Sequence, residues 1–278
     1  STAVKRYAER GGTMIKGRGR LTGPRTVSVA GRTYSARRGI VIAVGSKPLI
    51  PRIEGIDTID YWTTHDIMKA EALPSSMTVI GGGAAGCELG QVMARFGVKV
   101  TIIASGDRIL PREEPEASEA VEAAFGDEGI RVHKGARAER VESRGGSIIT
   151  RLSDGTELAS ERLLLAAGRA IDLNGLGLES VGLDPSSRHI EVDERMRVAD
   201  GIWAMGDVTG KSLQTHVAEY QSAVIAAQIL GQDHPPARYD AVPRGIFTDP
   251  EVGAVGMTEA RASDHGLDIA VALKQLPR

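Results

Sequence analysis

The chain has 278 residues, 41% of them apolar and 25% charged, an ordinary globular balance and enough length for about two domains. With 34 basic against 36 acidic side chains and only 4% aromatics, it offers neither the basic face nor the stacking platform that nucleic acid requires. One cysteine, Cys87, and six histidines without H-x-H or H-x-x-x-H spacing exclude an intrachain disulfide and a cysteine-cluster metal site, and speak against zinc.

No run reaches the roughly 18 consecutive apolar residues of a membrane span, and Ser1 to Tyr7 carry neither a signal nor a transit pattern. A cytoplasmic protein without membrane or nucleic-acid partners is the expectation. Residues 4–10 read as the tail of a helix closed by Gly11-Gly12, and strands at Thr26–Val29 and Thr33–Ser35 flank an Ala30-Gly31-Arg32 turn. Ile40 to Val44 reads as a buried strand, stopped by Gly45-Ser46-Lys47-Pro48. Residues 46–60 look like a connection, and Thr64 is placed as the cap of a short helix over 65–71.

From Met77 the pattern becomes strand, turn, helix, strand. Met77–Ile80 is apolar and β-branched, Gly81 to Gly86 follows, and Cys87–Phe96 carries Leu89, Val92, Met93 and Phe96 as one apolar helical stripe. Gly97 is a stop signal before a strand at Val98–Ile103. Pro115 opens a helix over 116–128, Ile130–Val132 is a short strand, and 137–164 reads as a β-meander turning at Gly145-Gly146 and Asp154-Gly155. Leu163–Gly168 is another buried strand, 170–188 a loop, Ile202–Met205 a strand running into Gly206-Asp207, and 216–230 a helix. Residues 232–243 look like a linker, and Ile269–Leu273 reads as a final strand.

The strongest chemical signal is Gly81-x-Gly83-x-x-Gly86 between a strand and a helix, the setting a dinucleotide-binding loop requires. The first glycine permits the tight turn, the second lets the backbone approach a pyrophosphate, and the third lets the helix lie close to the strand. The helix N-terminus then offers free N–H groups to the phosphates. About 20 residues on, an acid would bond the ribose 2′-OH of NAD. Ala104-Ser105-Gly106-Asp107-Arg108 stands there instead. With no carboxylate to repel a 2′-phosphate, Ser105 to donate to it and Arg108 to supply charge, the reading favours NADP(H); a solvated surface role for Arg108 is the alternative. Glu88 beside an anionic pyrophosphate is electrostatically odd, so it is either turned to solvent or paired with a cation. Gly45-Ser46 and Gly168 each end a buried strand, and Asp207 is a third carboxyl-end position, where open α/β sheets bind ligands. Cys87 reads as an inert buried thiol and His216 as a capping or packing residue.

In order, Ala43-Val44-Gly45-Ser46-Lys47-Pro48, Gly81-Gly82-Gly83-Ala84-Ala85-Gly86-Cys87-Glu88-Leu89, Asp107-Arg108-Ile109-Leu110-Pro111, Ala166-Ala167-Gly168-Arg169, Ile202 to Asp207 and Phe247-Thr248-Asp249-Pro250-Glu251 resemble the FAD-dependent pyridine nucleotide-disulfide oxidoreductases. That group includes dihydrolipoamide dehydrogenase, glutathione reductase and mercuric reductase. The resemblance implies an α/β fold of Rossmann-like three-layer domains. Residues 1–72 would be a partial FAD domain, 73–169 a complete NAD(P) domain, 170–240 the return segment of the FAD domain, and 241–278 the start of an interface domain. It implies that Gly81, Gly83 and Gly86 bind the nicotinamide dinucleotide; Gly82, Ala84, Ala85 and Gly168, with Ser105 and Arg108 from the reading above, are the further cofactor-binding candidates. Gly45, Ser46 and Asp207 would serve FAD, with Leu213, His216 and Val217 near the isoalloxazine, and Glu88 would pair with a lysine beside the flavin.

The departures matter too. The family's FAD phosphate loop, its C-x-x-x-x-C pair, the lysine partner of Glu88 and its C-terminal His–Glu pair have no counterpart in these 278 residues, and Ile171-Asp172-Leu173 replaces the usual Pro-Asn-Thr. The chain therefore reads as the middle of a longer enzyme, expected by itself to bind nicotinamide dinucleotide and to hold FAD weakly or not at all. The implied activity is hydride transfer between NAD(P)H and FAD, then to a small-molecule, metal or disulfide acceptor, in a homodimer. A flavin-dependent NAD(P)H oxidase or quinone reductase without the cysteine pair is the alternative among enzymes. A non-catalytic nucleotide-binding module is the alternative outside them.

Overall fold

The computed structural model describes residues 2–275. They group into two compact units, one of residues up to Lys47 with Ile171–Tyr239, the other of Pro48–Ala170 with the residues from Asp240 onward.

The second unit is built on a parallel five-stranded sheet in the order Trp62–Thr63, Arg162–Leu165, Ser76–Ile80, Lys99–Ala104, Arg131–Lys134. A parallel sheet covered on both faces needs apolar residues throughout each strand, and Met77, Thr78, Val79 and Ile80 are all buried. Alternation then assigns the faces. Met77, Val79, Val100, Ile102 and Leu164 pack with Val121 and Phe125 of the helix Pro115–Asp127. Ile80, Ile103, Leu163 and Leu165 pack against Val141, Ile148 and Leu152 of the antiparallel meander. The chain enters at the short edge strand Trp62–Thr63, crosses to the middle strand Ser76–Ile80, and moves outward through Lys99–Ala104 to Arg131–Lys134. It returns through the meander to Arg162–Leu165 on the other side. Strand order therefore reverses between Ser76–Ile80 and Arg162–Leu165, and such a reversal opens a crevice at the carboxyl ends.

The helix Ala84–Arg95 forms as expected, but its apolar stripe meets the core only in part, through Met93 and the half-buried Leu89. Val92 is 48% and Phe96 65% exposed, while Gly86, Cys87, Gly90 and Met93 are buried. Small residues at this spacing bring the helix axis close to the strands: a Cβ at Gly90 would lie 3.0 Å from Ile102 Cδ1. Close approach selects the small side of this helix over its large apolar side.

In the first unit, Arg197–Ala199, Ile202–Ala204 and Ile40–Ile42 form one sheet, with the last two strands parallel. A separate antiparallel sheet, Gly19–Gly23, Thr26–Val29 and Arg32–Ser35, has its second turn at Ala30 (φ 49°) and Gly31 (φ 79°). Two positive φ values in a two-residue turn match the twist of the strands they join. The helix Thr215–Leu230 buries Val217, Gln221, Val224 and Ile225 and ends at Gly231 in the left-handed region, where glycine is the unstrained choice.

Four other sequence expectations are corrected. The Ile40–Val44 strand pairs only over Ile40–Ile42, and Val41 and Val44 are 38% and 51% exposed. It is an edge strand of its sheet, so one side of it is not covered by a neighbour. Thr64 caps no helix over 65–71. A 3-10 turn spans Ile67–Lys69, and Asp66 accepts hydrogen bonds from Thr63 N–H (2.8 Å) and Thr63 Oγ1 (2.7 Å), a side-chain turn that replaces a helical start. The 170–188 loop contains a 3-10 turn at Leu178–Val181. Ile269–Leu273 forms no strand: Ile269, Val271 and Leu273 are 45%, 64% and 73% exposed. No described strand pairs with this segment, and alternating apolar residues make a strand only where a ladder partner accepts their backbone.

Candidate functional site

Gly81 leaves the Ser76–Ile80 strand at φ 127°, and its N–H donates to Ile103 O at 3.0 Å. A Cβ there would collide with Ala166 O, and one at Gly86 with Gly81 O. The loop thus holds two backbone contacts that any side chain would break. Gly82 is buried, its C=O accepting Leu110 N–H at 2.7 Å, and a Cβ on it would lie 2.8 Å from Ala104 Cβ. Gly83 differs: a Cβ there would meet nothing within 4 Å. Ala84 and Ala85, in the first turn of the helix, are exposed. The first N–H groups of a helix lack intrahelical acceptors, and here they face open space at the positive end of the dipole. The arrangement is closed where strand and helix touch and open where an anion would arrive. Ala166 N–H bonds Ile80 O at 2.9 Å, so the Ala166-Ala167-Gly168 turn lies across the strand-order reversal from the glycine loop.

Ala104 ends the next strand at 3% exposure, and Ser105 after it is exposed. Lys134 is the parallel ladder partner of Ala104, and its ammonium bonds Glu122 Oε1 at 2.6 Å. Arg108 is drawn back onto its own loop, donating to Leu110 O and Pro111 O at 3.2 Å each. Those acceptors are neutral, so its charge is not cancelled by them.

Glu88 is half-buried and bonds a backbone group. Its Oε1 accepts the Phe247 N–H at 2.9 Å. The same helix face holds the neighbouring turn: Gln91 accepts Asp249 N–H and donates to Asp249 O, both at 2.8 Å. Arg95 bridges Glu128 at 2.6 Å and Asp249 at 2.7 Å. Gln91 was not singled out from sequence; its signal is an amide on an otherwise small, buried face. The hairpin Pro243–Ile246/Val252–Val255 is further tied down by Arg244, whose guanidinium spans the buried Glu113 carboxylate at 3.1 and 3.0 Å. Such a paired fork fixes geometry as well as charge.

Cys87 is fully buried with Sγ 3.5 Å from Gly82 O. Burial, then the adjacent Glu88 charge, pushes its thiol up to about 12, and the thiol, unlike the thiolate, is a poor nucleophile. Native chain at pH 8 is expected to resist iodoacetamide over minutes and to alkylate fully once unfolded; equal labelling rates in both states would refute this.

In the first unit the parallel strands Ile40–Ile42 and Ile202–Ala204 end side by side, and Met205 N–H bonds Ile42 O at 3.0 Å. Gly45-Ser46 and Gly206-Asp207, distant in sequence, therefore meet at one carboxyl edge, where Ser46 Oγ donates to the Asp207 carboxylate. Gly206 N–H donates to Gln221 Oε1 at 2.7 Å. Nearby, Lys47 bonds Asp172 at 2.9 Å; that bond, then Asn174 N–H, holds the Asp172 carboxyl down to about 2. Leu213 is 42% exposed and His216 exposed, whereas Val217 is 3% exposed. Val217 could therefore meet a ligand only through its backbone N–H in the first turn of Thr215–Leu230. Among the described residues no three His, Cys, Asp or Glu side chains are grouped as a metal site. No described helix is long and apolar enough to cross a membrane.

Comparison with known proteins agrees with this architecture. The chain is similar to a mercuric reductase of Streptomyces lividans, 37% identical over 246 residues, covering 86% of this chain and 52% of the relative. It is 35% identical over 272 residues to a dihydrolipoyl dehydrogenase of Chlorobaculum tepidum, covering 94% of this chain and 58% of that one. Thus the chain spans about half the length of the curated relatives it matches. The crystal structure of LpdA from Mycobacterium tuberculosis superposes with a TM-score of 0.84 at 30% identity, over 93% of this chain and 59% of that chain. The HOCl-induced flavoprotein disulfide reductase RclA of Escherichia coli gives 0.84 at 30%, over 91% and 59%. Residues 1–224 match the pyridine nucleotide-disulphide oxidoreductase family. The chain belongs to that family.

Proposed function

We propose that this chain carries the nicotinamide-dinucleotide site, and part of the FAD site, of an NAD(P)H-dependent flavoprotein oxidoreductase. The observation that carries this reading is the glycine loop at the strand-order reversal, closed at Gly81 and Gly86 and open at Gly83. A pyrophosphate fits an opening bounded by backbone and free helical N–H groups. Gly81, Gly82, Gly83, Ala84, Ala85 and Gly86 would hold it, and Gly168 would line the opposite turn. Gly45, Ser46 and Asp207 would hold FAD hydroxyl or phosphate groups, and the backbone around Leu213, His216 and Val217 would approach the ring system. When bound, the two cofactors supply hydride transfer, delivered onward to a disulfide, metal or other small acceptor. The chain's own residues bind and orient: the loop fixes the phosphates, and Asp207 accepts hydrogen bonds from hydroxyls. The homodimer is proposed for the whole protein, with residues from Arg244 beginning its interface region.

The preferred nicotinamide cofactor is NADP(H). Ser105 is an exposed donor, Arg108 keeps a positive charge beside it, and no carboxylate stands at Ala104. Titration of the 278-residue chain should give NADPH about tenfold tighter than NADH, a difference of roughly 1.4 kcal/mol. Ala104→Glu should reverse the order by repelling the 2′-phosphate and bonding the 2′-OH. Tighter NADH binding by the unaltered chain would overturn the preference, and no binding of either would overturn the dinucleotide site.

A further inference from the structure

We infer that Gln221, supported by Tyr239, is a positioning residue that sets the Gly206–Asp207 turn for flavin; this rests on the reading of Asp207 as a flavin ligand. The helix Thr215–Leu230 presents Val217, Val224 and Ile225 to its core, and Gln221 stands on that same stripe with no exposed surface. A primary amide is costly to bury unless both of its ends are bonded. Here both are. Gly206 N–H donates to Oε1 at 2.7 Å, and Nε2 donates to the Tyr239 hydroxyl at 3.0 Å. The Tyr239 hydroxyl donates in turn to Met196 Sδ at 3.2 Å. The amide orientation is not ambiguous, because a backbone N–H can only donate and so requires Oε1.

The turn that these groups hold is unusual. Gly206 has φ 76°, and its carbonyl accepts the buried Thr209 hydroxyl at 2.8 Å. Both polar groups of Gly206 are thereby fixed by side chains, one from the following helix and one from the turn itself. The next residue is Asp207, whose carboxylate receives Ser46. The chain Met196–Tyr239–Gln221–Gly206 therefore fixes the backbone that carries Asp207. A leucine on the stripe would satisfy packing alone; the amide is needed for the turn.

The test compares Gln221→Met, Gln221→Glu, Tyr239→Phe and Asp207→Ala in the flavoprotein holoenzyme, reading FAD affinity, NADPH affinity and amide exchange over residues 204–210. Gln221→Met, similar in length and without hydrogen bonds, should weaken FAD about tenfold and speed exchange at Gly206, with NADPH affinity within about twofold. Gln221→Glu keeps an acceptor for Gly206 N–H, and Tyr239 can turn to donate to it, so FAD affinity should recover to within about threefold of the parent. Tyr239→Phe leaves the amide in place without its support and should cost about threefold even if Gln221→Met fails to fold. Unchanged FAD affinity in Gln221→Met or Tyr239→Phe, or a Gln221→Glu as weak as Gln221→Met, overturns the inference. If Asp207→Ala also keeps its flavin, the flavin reading of Asp207 has failed; if Asp207→Ala releases it while Gln221→Met does not, only the positioning role has failed.

Discussion

Gly83→Val is expected to abolish nicotinamide-dinucleotide binding while leaving the fold intact, and Gly86→Val to destabilise the fold itself. Gly83 has φ −82° and ψ −177°, an extended conformation open to any residue, and a Cβ there meets nothing within 4 Å. The added branches would fill the space through which a pyrophosphate reaches the helix N–H groups. A loss of at least a hundredfold, about 2.8 kcal/mol, is expected. Gly86 is the opposite case: its Cβ would overlap a backbone oxygen, Gly81 O, which no rotamer change relieves. Overpacking against a side chain costs about 1–3 kcal/mol, and a rigid carbonyl sets the cost at the top of that range or above it. The melting temperature should fall by roughly 6–12 °C. Parallel NADPH titrations and thermal melts check the pair. If Gly83→Val binds normally, the opening is not the phosphate site. If Gly86→Val melts like the parent, the strand–helix contact is looser than its geometry.

Asp207→Ala in the flavin-loaded protein is expected to weaken FAD retention by about ten- to a hundredfold, since a hydrogen bond from a ligand hydroxyl to a carboxylate is worth roughly 1.5–3 kcal/mol. The fold should persist. Asp207 lies at the sheet edge outside the apolar clusters, and Ser46, its donor, is only partly buried and can turn to water. An unchanged far-UV spectrum with flavin lost on dialysis is the expected pair of results. Flavin kept through dialysis as well as in the parent would reduce Asp207 to a turn residue.

The parts that the sequence determined by itself are local. The strand–glycine–helix–strand run at 76–104, the ends at Gly97 and Gly231, and the Ala30-Gly31 turn all follow from groups within a few residues of one another. Backbone sterics and hydrogen bonding decide such features before any tertiary contact exists. The buried thiol of Cys87 belongs here too, because its place beside the glycine loop sets it against the sheet.

What only the tertiary structure decided is which distant group each residue meets. Glu88 takes the Phe247 N–H, Arg108 turns onto Leu110 and Pro111 carbonyls, and Ser46 reaches Asp207 across a separation of 161 positions. Val92 and Phe96 lie outside while Gly86 and Gly90 lie inside, although periodicity alone favours the larger residues for the core. Ile269–Leu273 alternates like a strand and pairs with no described strand. A local pattern states what a segment can bury or bond. The partner is chosen by how closely two elements approach and by which backbone groups remain unpaired after the sheet has formed, and both are properties of the assembled fold.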